Sequence, residues 1–169
     1  MRITPTLVRA ERDWLRERAP VVVPILNETR DRLARRFDTE VAHVEPETYR
    51  REVDAVFADG AVAVNVAGYV RLLRDLDVER DYPGFVVDEV LGRELAATIA
   101  GGQPLSVLAG ATFHVADTFV DDDATAAGAG TAGADDLDAA VAAGFQTRLP
   151  GWPWRARESP FALDPHDEP

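Results

Sequence analysis

The sequence predicts an all-α fold, a bundle of five or six helices. Three observations carry this reading. Apolar residues recur at helical spacing, most cleanly at Tyr49, Val53, Val56 and Phe57. Residues that start and stop helices fall between the periodic stretches: Thr4 with Pro5, Glu45 with Pro46, Asp59 with Gly60, and Gly101 with Gly102. The segment 104–120 carries no formal charge before Asp117 and shows apolar side chains all round the helical wheel, which places it inside a bundle.

Leu7 and Trp14, and Val8 and Leu15, lie seven apart and form one stripe of a first helix ending near Arg18. Pro20 interrupts the chain because it cannot donate to the preceding turn. A second helix then runs to about Phe37. Ile25, Leu26, Leu33 and Phe37 are expected to face inward, and Glu28, Arg30, Asp31, Arg32, Arg35 and Arg36 outward. Glu45, Pro46 and Glu47 open a third helix, with proline in its first turn and acids at the positive end. A fourth spans 61–76 and a fifth 85–100. The alternative is an α+β fold in which short β-branched runs at 21–23, 41–44 and 62–66 pair as strands; Pro24 argues against a central strand there.

Composition changes after Asp123. The bundle domain is expected over 1–123. An Ala/Gly-rich flexible linker follows over 124–136, then a short helix and a Trp/Pro-containing tail over 137–169.

Charge is the strongest global signal. Thirty acids face eighteen bases, a net charge of −12, and every base is arginine. Molar salt relieves the self-repulsion of such a chain by shortening the Debye length to about 3 Å. An acid-rich, lysine-free composition resembles that of salt-accumulating halophiles, which points to a salt-adapted cytosol. With no cysteine, neither a disulfide framework nor a thiolate metal site is available. The start, Met1 to Pro5, has no apolar run of a signal peptide, so a cytoplasmic location is expected. Residues 95–116 are uncharged with His114 neutral, but Gly101, Gly102, Gln103 and Pro104 break the run and basic anchors are missing, so no membrane span is expected.

No glycine-rich phosphate loop, nucleophile elbow or repeat of 20–50 residues is present. Three candidate sites remain. His114, Asp117 and Asp121 are spaced to share one helix face, where an imidazole and two carboxylates could ligate a divalent metal. Glu89 or Glu94 would then act as the base of a metal-dependent hydrolase. No other cofactor is predicted. Arg32, Arg35 and Arg36, with Arg30, Arg50 and Arg51 nearby, form a cluster whose planar forks suit phosphate and hence nucleic acid, although Glu28 and Asp31 stand among them. Trp152, Trp154, Arg155 and Arg157 carry the aromatic and guanidinium groups typical of binding hot spots, beyond a linker that would let them reach a partner. The absence of a catalytic motif leaves a protein-interaction or regulatory module as the leading expectation, with a protein partner or a second copy of the chain completing the bundle.

Overall fold

The computed structural model of the chain describes residues 1–76, 87–102, 105–127 and 134–152. Seven α-helices run through them: α1 (Pro5–Glu17), α2 (Ala19–Phe37), α3 (Pro46–Ala58), α4 (Gly60–Asp75), α5 (Val87–Ala100), α6 (Leu105–Ala127) and α7 (Ala134–Gln146). The fold is all-helical, with seven helices where the sequence predicts five or six. Among the described residues no single helix is long and apolar enough to cross a membrane.

The described residues also hold no strand, and each of the three candidate runs shows why. Residues 21–23 form the first turns of α2. Pro20 sits at its N-terminal end, where a missing N–H leaves no bond unmade. Residues 62–66 lie in α4, which Asp59 caps: its Oδ1 accepts from the N–H groups of Ala61 at 3.1 Å and Val62 at 3.2 Å. Residues 41–44 are irregular. The Asn27 side chain pins them by accepting from Val44 N–H at 2.8 Å and donating to Val44 C=O at 3.1 Å. One amide satisfies both backbone groups that a neighbouring strand would otherwise have met.

The centre of the bundle is α7, not α6. From Leu137 to Thr147 every side chain of the C-terminal segment is buried. α7 packs most extensively on α5 and α6 and also meets α2. Its residues Ala139, Ala140, Ala142, Ala143 and Gly144 are small, which lets its neighbours approach closely. A β-carbon on Gly144 would stand 2.7 Å from Ile99 Cβ and 3.1 Å from the Ala96 backbone. In the short helix that the sequence predicts after the linker, small residues serve close helix packing. The helix α6 itself runs on through Ala127 and α7 begins at Ala134, so of the expected linker only 128–133 lies between helices, outside the described residues.

α6 is correspondingly peripheral. Ala109, Thr112, Phe113 and Ala116 face the core, whereas Val107 is 62% and Leu108 42% exposed. Two further expectations reverse on α2. Arg30 is fully buried, because it follows Leu26 by one turn on the core face; Phe37 is 71% exposed, because the last turn of α2 extends past the core.

Charged residues inside the bundle are paired. Glu11 on α1 is buried and accepts from Arg74 Nη1 at 2.6 Å, with Arg71 Nη1 at 3.7 Å. Arg74 and Arg18 stack against Trp14. Asp138 on α7 pairs with Arg18, whose Nε donates to it at 3.1 Å. Burial outweighs that arginine and raises the Asp138 pKa above 3.8. Tyr49 on α3 donates to Leu15 C=O at 2.9 Å and meets Phe145 edge-on; burial, then the Asp138 charge, push its hydroxyl pKa up.

Candidate functional site

Two of the sequence candidates meet in one place. The C-terminal half of α2 runs beside α6. Arg32, Leu33, Arg35 and Arg36 of α2 face His114, Val115 and Thr118 of α6 across an open groove of about 610 Å³. On α2, positions 32, 35 and 36 fall at i, i+3 and i+4, so helical geometry alone gathers the three guanidinium groups on one side. Arg35 and Arg36 also occupy the last turn, where cations complement the helix dipole. Leu33 and Val115, both half-buried, provide apolar surface in the groove.

Two of the groove's arginines, Arg35 and Arg36, are exposed. Glu28 accepts from Arg32 Nε at 3.0 Å and lies 3.9 Å from Arg35 Nη2. Arg35 keeps 68% of its side chain in solvent. Among the described residues no carboxylate forms an ion pair with Arg36. Glu28 thus answers Arg32 and lies near Arg35, while Arg35 and Arg36 stay exposed in a chain whose total charge is −12. A second groove, between α1 and α3, has about 570 Å³ and is lined by Arg12, Arg16, Asp54, Phe57 and Ala58. Its arginines are neutralised locally, Arg16 by Asp54 and Arg12 by Asp13.

His114 lies outside the core, 57% exposed. Its Nδ1 stands 3.8 Å from Glu89 Oε1 on α5, and Glu89 also accepts from Arg93 at 3.3 Å. Its own carbonyl accepts from the Thr118 hydroxyl at 2.8 Å. Asp117 is half-buried one turn on, and the Asp121 side chain lies outside the described residues. Among the described residues no group of three His, Asp or Glu side chains is arranged to hold a metal ion. Glu94, the other candidate base, receives the Thr98 hydroxyl on its backbone carbonyl at 2.7 Å.

Of the C-terminal candidates, Trp152 is half-buried and tied to the bundle. Its indole N–H donates to Gln146 C=O at 2.8 Å, and its ring packs against the Arg30 guanidinium 5.3 Å away. Trp154, Arg155 and Arg157 lie outside the described residues. Arg30 is the residue that sequence reasoning missed. Its Nε donates to Gln146 Oε1 at 2.6 Å, its Nη1 to the carbonyls of Ala42 and Pro150 at 2.6 Å each, and its Nη2 to Leu149 C=O at 3.5 Å. The available signal was its place one turn after Leu26. It holds the fold together and takes no part in the groove.

Fold and groove together define an all-helical bundle with a basic channel between two helices. Residues 1–165 match the family described as Domain of unknown function (DUF7984), and the chain belongs to it. No curated protein and no solved structure matches it.

Proposed function

We propose that this chain is a protein-interaction module of a salt-adapted cytosol, which docks a partner along the groove between α2 and α6 and performs no chemistry of its own. The carrying observation is the convergence of Arg32, Arg35 and Arg36 with His114, Val115 and Thr118 around an open channel with apolar surface. Groups that lie some eighty positions apart in the chain form one surface combining cations with hydrophobic contact, the mixture on which protein recognition relies. The salt-adapted setting is supported by the net charge of −12 and the lack of lysine.

A photo-crosslinking residue at Val115 tests this reading in the cells that make the protein, with the same residue at Phe57, in the second groove, as the comparison. A discrete protein adduct from position 115 and none from 57 is the expected result. No adduct from 115, or the same adducts from both, would remove the groove as a docking site.

A further inference from the structure

The chemistry of the groove narrows what it docks. We infer that its occupant is a short acidic segment of a partner protein that also carries an apolar side chain: carboxylates meet Arg35 and Arg36, and the apolar group rests on Leu33 and Val115. This inference rests on the docking role proposed above.

Charge complementarity comes first. The groove presents three guanidinium groups and an imidazole; Glu28 pairs with Arg32 and lies 3.9 Å from Arg35, Glu89 stands 3.8 Å from His114, and Arg36 forms no ion pair among the described residues. Arginine forks bind carboxylates in a planar, two-bond geometry, and such charge-assisted bonds are about twice as strong as neutral ones. Arg35 and Arg36 are exposed, so a ligand reaches them without displacing a buried contact.

Shape and composition decide between classes of anion. Nucleic acid binds single strands on aromatic platforms and follows a continuous basic track. Among the described residues that line the groove, none carries a phenyl, phenol or indole ring. The chain as a whole is acidic, with thirty acids against eighteen arginines. The field of a chain with net charge −12 disfavours a long polyanion, whereas a short segment needs only the groove. A site of about 610 Å³ between two helices suits a few residues of peptide.

Salt gives the apolar surface its role. At about 3 Å, the Debye length of molar salt leaves attraction only at contact. A purely ionic ligand would then hold weakly, while burial of an apolar side chain on Leu33 and Val115 does not depend on screening.

The experiment is a selection of random displayed peptides on the full chain in high salt, repeated on the Arg35→Glu/Arg36→Glu double variant. Both positions are exposed, and unchanged circular dichroism confirms that the variant folds. The expected result is enrichment of peptides pairing Asp or Glu with a large apolar residue, whose affinity drops about tenfold or more on the variant. Enriched peptides without acids, equal recovery on the variant, or an oligonucleotide that binds where acidic peptides do not would each overturn the inference. The docking role fails separately. A Val115 adduct that persists at full yield in the double variant leaves the groove as a docking site and ends the acidic occupant; an absent adduct ends the docking role itself.

Discussion

Arg30 on α2 and Gln146 at the end of α7 are joined inside the protein by a 2.6 Å bond between Nε and Oε1. Gln146 returns a second bond, from Nε2 to Leu26 C=O at 3.1 Å, so the two helices are tied side chain to side chain and side chain to backbone. The same guanidinium holds the carbonyls of Ala42, Leu149 and Pro150. Gly151 completes the corner: its φ of +105° is one that a side chain rarely adopts, and a β-carbon there would stand 2.8 Å from Arg30 Nη1.

Arg30→Met therefore removes the donor from several acceptors at once. Each buried acceptor left without a partner costs about 1–3 kcal/mol, so a loss of about 3 kcal/mol or more is expected. Arg30→Lys keeps the charge but lacks the planar fork, and it should recover only part of the loss. Urea unfolding followed by circular dichroism measures both. A change below about 1 kcal/mol for Arg30→Met would mean that the corner is held by other contacts.

Two glycines that look alike in the sequence should respond in opposite directions. Gly144 meets Ile99 and the Ala96 backbone, so Gly144→Ala forces α5 and α7 apart and is expected to cost about 1–3 kcal/mol. At Gly110 on α6 an added β-carbon meets nothing within 4 Å. Gly110→Ala should gain about 1 kcal/mol from helix propensity alone. Thermal unfolding of the pair in the same buffer reads the contrast directly.

Asp138 should leave a signature in acid. Its native pKa is raised above 3.8 by burial, so the folded protein holds that proton more tightly than the unfolded chain does. The group thus adds stability as pH falls through its native pKa toward 3.8 and withdraws it as pH rises. Asp138→Asn lacks this contribution, so the signed stability difference, wild type minus variant, should rise as pH falls across that window. Unfolding free energies measured over the acid range check the sign; a difference that falls toward acid would contradict it.

Most helices were legible in the sequence because their signals are local. The stripe of Tyr49, Val53, Val56 and Phe57 and the capping residues Thr4 and Asp59 need no knowledge of the rest of the chain. The centre of the bundle was not legible. α6 is apolar but built largely of side chains that tolerate water, such as Ala111, and α7 is built of small residues whose value appears only when another helix lies against them. Arg30 was misplaced for a related reason: an arginine in sequence reads as solvated, and only the carbonyls gathered around it make burial favourable. The groove was half legible. The arginines of α2 and His114 of α6 each stood out alone, but their juxtaposition is a product of the packing of α2 beside α6, which no local pattern encodes.

The position of α7 has a consequence for how the molecule is made. Domains emerge from the ribosome at about 5–20 residues per second, N-terminal part first. Here the helix that fills the middle is the last of the seven to be synthesised. Until Phe145, Gln146 and Leu149 appear, the faces of α2, α5 and α6 that meet α7 stay uncovered, and Arg30 has none of its C-terminal acceptors. The nascent chain thus remains an open shell until α7 has been made. A ribosome that stalls before α7 releases a product with exposed apolar faces, a ready substrate for chaperones and proteases.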